Sequence, residues 1–169
     1  MDTDTPPSEY AIEKYLTPLE SFLHEFIAHS PFDLTFSVQK AGAQPDDAEA
    51  PEYLVDFSGA DADLLLEKHA TLLHALEYVA LKAIRLDEDH LREIAFDCHD
   101  WRRTRMEELR LMAQVAAERV IESGDPFTLS PMNPRERRIV HLALRDQPQV
   151  RTQSEGFGPE RKVVIYPAK

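Results

Sequence analysis

Early in the chain, Leu19, Phe22, Leu23, Phe26 and Ile27 recur at i, i+3, i+4, i+7 and i+8. That is the apolar stripe of a helix over residues 10–30. Thr17-Pro18-Leu19-Glu20 offers a second, capping-box start for it, with residues 8–16 as a separate turn. Residues 33–38 and 53–57 have strand character, and 41–51 between them lacks periodicity and reads as a loop. Residues 61–86 are helical, with Leu64, Leu65, Leu72, Leu73, Leu76, Val79, Ala80 and Ile84 as anchors, and 91–96 read as a third strand. Over 103–123, Met106, Leu109, Met112, Ala113, Ala116 and Val120 form a core stripe, and Gly124 suits a left-handed helix end. A strand at 127–129 leads into a helix over 133–144. Residues 150–154 and 161–165 then pair as a hairpin across Gly156-Phe157-Gly158-Pro159. This order predicts an α+β fold of two small domains, with helices packed on a three-stranded sheet.

The helix over 133–144 has a marked start. Asn133 can cap it, Pro134 tolerates the first helical position, and Glu136 can reach back to the cap. At roughly 100° per residue, Arg137, His141, Arg145 and Arg138 share one stripe, and Ile139, Leu142 and Ala143 centre the opposite face. Arg137 and His141 stand at i and i+4, so their side chains are neighbours. Guanidinium forks suit phosphate, and imidazole can donate to phosphate or stack on a base. The hairpin adds Arg151, Ser154, Arg161 and Lys162 as further donors, and Phe157 in its turn can stack on a base.

The charge is unevenly spread. The chain of 169 residues carries a net −12, which argues against nucleic acid. Residues 1–100, however, hold six Lys and Arg against 22 Asp and Glu, while 101–169 hold 13 against nine. Two halves of opposite sign put phosphate-facing work in the second. No apolar run reaches the ~20 residues of a membrane span. The acidic, Pro-containing start is not a signal peptide and is expected to be a disordered tail over 1–9. The single cysteine, Cys98, excludes an internal disulfide and fits a reducing compartment. Cys98-His99 is not a tetrahedral ligand set, so no metal and no cofactor is expected. Nucleotide-binding loops, nucleophile elbows and zinc motifs are absent, and the expectation is a protein that is not an enzyme.

Two resemblances follow from particular residues. The run Pro126-Phe127-Thr128-Leu129-Ser130-Pro131-Met132-Asn133-Pro134, then Glu136 to His141, Val150 to Gly156 and Arg161 to Ile165, resembles the R-three-H domain, named for an Arg and a His separated by three residues. That family binds single-stranded nucleic acid. The helix–strand–strand–helices–strand order before it, with Asp63-Leu64-Leu65-Leu66 and Leu73-His74-Ala75-Leu76-Glu77-Tyr78-Val79, is similar to the type II KH domain of the Jag family. That family sets a KH domain directly before an R-three-H domain. The resemblance implies a type II KH-like domain over 10–98 and an R-three-H domain over 99–169. The GxxG loop that clamps a nucleic-acid backbone in KH domains is degenerate here, reading Glu67-Lys68-His69-Ala70.

The expected function is non-enzymatic binding of single-stranded nucleic acid, RNA rather than DNA, mainly through the Arg/His helix. The resemblance implies a cytoplasmic protein, with a KH-type protein or a second copy of the chain as a further partner. The alternative is a protein-interaction or dimerisation module acting through the acidic KH-like domain.

Overall fold

The structure is a computed structural model and describes residues 12–42 and 50–168. The expected tail over 1–9 and most of the expected loop over 41–51 lie outside the described residues. The chain divides into two compact units, residues 1–101 and 102–169, and its architecture is α+β.

The N-terminal unit runs α1 (Glu13–His29), β1 (Thr35–Lys40), β2 (Tyr53–Ser58), α2 (Ala62–Ala83) and β3 (Ile94–Cys98). Helix α1 starts before Thr17 and passes through Pro18. Ile12, Tyr15, Leu19 and Leu23 are all buried in one core, so packing on both sides of the proline holds the continuous helix. Strands β1 and β2 are antiparallel, and β3 lies parallel to β2. A parallel pair needs a long crossover, and α2 supplies it. Tyr53, Val55 and Phe57 of β2 face Ile94, Phe96 and Cys98 of β3 across the register. Their side chains meet Leu65, Leu73 and Leu76 of α2 in the core. Both β1 and β3 begin later than their apolar patterns suggest. Residues 33–34 precede the first ladder pair, and residues 91–93 form a turn.

Helix α2 is not one helix. At Glu67 the backbone turns extended, and Lys68, His69 and Ala70 all take left-handed φ values of 50°, 59° and 57°. A left-handed residue with a Cβ costs about 1–2 kcal/mol. Ala70 is fully buried, and the Thr71 hydroxyl donates to the Lys68 carbonyl at 2.6 Å. These contacts hold the turn against its own backbone preference. Beyond it, Leu73, Leu76 and Ala80 are buried, whereas the expected anchors Leu72 and Val79 are exposed, as is Leu64 before the turn.

The C-terminal unit runs α3 (Trp101–Ser123), β4 (Phe127–Thr128), α4 (Pro134–Ala143), β5 (Val150–Glu155) and β6 (Lys162–Pro167), with Trp101 itself in the first unit. The sheet order is β4-β6-β5, antiparallel throughout. Leu109, Ala113, Ala116 and Val120 of α3 pack with Val140 of α4 and with Val163 and Ile165 of β6. Burying an aliphatic side chain contributes about 1.5–3 kcal/mol, so these few residues set the position of α4. Among the described residues, no helix is long and apolar enough to cross a membrane.

Candidate nucleic-acid interface

Helix α4 begins with the capping box its sequence predicts. Asn133 Oδ1 accepts from the Glu136 N–H at 2.9 Å, and Glu136 Oε2 accepts from the Asn133 N–H at 3.0 Å. Glu136 does more than cap. It is buried, and its Oε1 accepts from Arg105 Nε on α3 at 2.7 Å. Arg105 also reaches Glu108 at 3.2 Å. An acid sits where spacing alone would expect an aliphatic anchor.

That ion pair turns the helix away from its expected orientation. The buried line runs through Glu136 and Val140 to Leu144 just past the helix end. Ile139 and Ala143 pack beside it, while Leu142 lies outside the core. Arg137 and His141 therefore flank the buried line instead of opposing it, and both are half-buried. The helix is therefore anchored not by a face centred on Ile139, Leu142 and Ala143, as expected, but by the line Glu136–Val140–Leu144. Helical spacing cannot show which flank meets the sheet when a paired Glu takes a core position.

His141 lies against β5. Its Nδ1 is 2.6 Å from Thr152 Oγ1, and its Nε2 is 2.9 Å from Ser154 Oγ. Thr152 and Ser154 point to one face because side chains alternate along a strand. A hydroxyl can donate or accept, so the pair serves either tautomer of the ring. Burial first, and Arg137 second, lower the His141 pKa below its ordinary value. Both causes favour the uncharged ring.

Arg137 and Arg161 come together through the backbone between them. Arg137 Nη1 donates to the Met132 carbonyl at 2.9 Å, and the Met132 N–H donates to the Arg161 carbonyl at 3.1 Å. Burial first, and then the Arg161 charge, lower the Arg137 pKa. Among the described residues, neither guanidinium has a carboxylate at ion-pair distance. The Arg161 charge is felt at Arg137, and an anion nearby would offset it.

Arg137, His141, Ser154 and Arg161 are thus brought together. Arg151 and Lys162 are not. They alternate onto the other face of the hairpin, in register with Tyr166 and Glu155. Arg151 stacks over the Tyr166 ring with 4.3 Å to its centroid, and the Tyr166 hydroxyl donates to Glu155. Arg138 is exposed on α4, and Arg145 is exposed beyond the helix end, where it meets Asp146 at 3.5 Å. Thr152 is a site residue absent from the sequence expectation, although strand alternation places it beside Ser154. The Arg105–Glu136 pair carried no local signal, because it joins residues 31 apart.

In the other unit, the turn at Glu67–Ala70 presents Lys68 and His69 to solvent, next to Glu67. Cys98 is fully buried, and burial together with Asp56, Asp97 and Asp63 pushes its thiol up to about 11. It is a core residue with no nucleophilic character near neutral pH.

Residues 107–167 match the R-three-H domain. The chain is 36% identical over 115 residues to the RNA-binding protein KhpB of Clostridium symbiosum, which covers 68% of this chain and 51% of that protein. It is 31% identical over 111 residues to the RNA-binding proteins KhpB of Lactiplantibacillus plantarum and of Bacillus subtilis. Those alignments cover 66% and 64% of this chain, and 34% and 53% of the relatives. The matched stretch therefore spans about half, or less, of these relatives' length. With the Arg137–His141 pair inside the matched region, the chain carries an R-three-H domain over residues 107–167 and is similar over about two thirds of its length to KhpB proteins.

Proposed function

We propose that this protein binds single-stranded RNA without catalysing a reaction, through the Arg137–Arg161 edge of its R-three-H domain. The observation that carries the reading is the pair of guanidiniums with no carboxylate partner, beside an imidazole pinned by Thr152 and Ser154. Phosphate oxygens would relieve the Arg137–Arg161 repulsion and accept from both forks. His141 acts as a positioning residue that fixes β5 against α4. Arg138 on the helix and Arg145 beyond its end add long-range attraction, and Arg151 and Lys162 do so from the other face of the hairpin. The names of the relatives, RNA-binding protein KhpB, favour RNA over DNA.

The N-terminal unit, taken as residues 10–98 with the R-three-H domain over 99–169, is read as a type II KH-like domain whose loop at Glu67–Ala70 no longer clamps nucleic acid. Its element order and its helix–turn–helix α2 support this. A second reading concerns that unit alone. Leu72, Tyr78 and Val79 are exposed along α2, with Tyr78 at 66%. This face suits contact with a KH-type protein or a second copy, and a pull-down that survives nuclease treatment tests it. A cytoplasmic location is proposed with both readings.

Titration of fluorescent single-stranded RNA with the full chain at several salt concentrations tests the main reading. Removing a charge-assisted hydrogen bond costs about 1.5–3 kcal/mol. The double variant Arg137→Gln with Arg161→Gln should bind at least tenfold more weakly, and its log–log salt slope should fall by about 0.7 for each phosphate no longer neutralised. Unchanged affinity and slope would place the binding elsewhere.

A further inference from the structure

Phe157 is the most exposed large apolar side chain among the described residues, at 93%. It stands at the tip of the β5–β6 hairpin, and the turn beneath it is built to hold it there. Gly156 has φ +85°, and a Cβ on it would meet the Glu160 carbonyl oxygen at 3.0 Å and Arg161 Cα at 3.4 Å. Gly158 has φ +55° and opens a short 3-10 turn, Gly158–Glu160, closed by the Arg161 N–H donating to the Gly158 carbonyl at 3.3 Å. The two glycines let the chain turn on both sides of Phe157 without strain. That same turn ends on Arg161, whose carbonyl is tied through Met132 to Arg137. An uncovered aromatic ring and an acid-free guanidinium pair therefore belong to one corner of the unit.

We infer that Phe157 is a stacking platform for one unpaired base of a strand whose phosphate lies on Arg137 and Arg161. The inference rests on the proposed binding edge and adds its selectivity. Phosphates alone would attract single strands and duplexes alike. A ring at the rim of the phosphate site rewards only a base that can leave its stack, so the site favours single strands. It tolerates any base, because every base has a π-face. Without the strand, the ring stays in water, where it adds nothing to the core of its unit.

The test uses the full chain and three probes: a short oligouridylate, an abasic ribose-phosphate chain of the same length, and a blunt RNA duplex. Phe157→Ala should weaken oligouridylate binding by about 5- to 150-fold, the range of one base–aromatic stack. It should leave the salt slope unchanged, since every phosphate stays neutralised. It should also leave binding of the abasic chain and of the duplex unchanged. Phe157→Trp should retain the wild-type preference, which guards against a folding artefact. Arg161→Gln should weaken all three probes and lower the salt slope by about 0.7 on the single strands and about 0.9 on the duplex. If the wild type binds oligouridylate, Arg161→Gln weakens it and Phe157→Ala does not, the stacking role is overturned while the binding edge stands. If Phe157→Ala weakens the abasic chain equally, the ring acts on the turn and not on a base, and the inference is again overturned. If the wild type binds none of the probes, the binding edge and the stacking role fall together.

Discussion

The turn at Glu67–Ala70 and the tip of the β5–β6 hairpin both run through left-handed backbone, and they are built from different residues. At the first, Lys68, His69 and Ala70 adopt it with side chains attached. At the second, Gly156 and Gly158 adopt it with none. The first turn carries strain that Ala70 burial and the Thr71 hydroxyl must offset, and it lies in the unit rich in acids. The second is relaxed, and it ends on Arg161 beside Arg137. Glycine and an acid-free guanidinium pair thus coincide at the turn beside the proposed phosphate edge. Both are missing at Glu67–Ala70, where Glu67 instead adds a negative charge.

Four measurements would break or sharpen that contrast, from the largest effect to the smallest. Glu136→Ala leaves Arg105 without its buried partner and removes the capping box of α4. Removing one member of a fully buried pair costs about 3–5 kcal/mol. This pair is part-buried and Arg105 keeps Glu108, so the loss should fall at or below the low end of that range and still lower the midpoint of denaturant unfolding. A small drop would mean that Val140 alone anchors the cationic helix.

Lys68→Ala should leave RNA affinity unchanged, where Arg137→Ala costs about 1.5–3 kcal/mol. Equal losses in parallel titrations would return the binding role to the strained turn. Backbone substitutions should move stability in opposite directions at the two turns. Gly156→Ala should destabilise by about 1–2 kcal/mol through its left-handed φ, with the close Glu160 carbonyl adding to it. His69→Gly should stabilise by up to about 1 kcal/mol, because the left-handed strain is relieved, less the added unfolded-state entropy of glycine. Thermal or denaturant unfolding of both variants decides this, and a destabilised His69→Gly would mean that the turn is not strained.

The smallest effect is in pH. Burial and Arg137 lower the His141 pKa. Between its folded and ordinary values the unfolded chain binds more protons, so stability rises with pH there. The contribution is full above about pH 6.5 and is lost as pH falls through the folded pKa. His141→Gln should flatten the difference in unfolding midpoint between neutral and mildly acidic buffer, relative to wild type. Curves that stay parallel would show that Thr152 and Ser154 hold the ring equally well when charged. A bound phosphate next to Arg137 should oppose the depression, so RNA binding should take up protons in that range.

The pattern of apolar residues determined the α+β architecture, the helical stretches and the β5–β6 pairing, because periodicities of 3.6 and 2 follow from backbone geometry alone. It also determined the capping box of α4, whose partners stand three residues apart. The uneven charge and the Arg137–His141 spacing marked the region that the R-three-H match covers. Only tertiary structure decided which way α4 faces, since Glu136 finds its partner in Arg105 on another helix. Strand alternation already separates Arg151 from Ser154, and only the packing of α4 on β5 decided that the Ser154 face meets His141 while Arg151 stacks on Tyr166. The break within α2 was invisible to helical spacing, because Ala70 and Leu73 keep the apolar rhythm across a turn that the backbone alone would avoid. Local spacing encodes elements. Which face an element presents depends on partners distant in sequence, and those become neighbours only when the core closes.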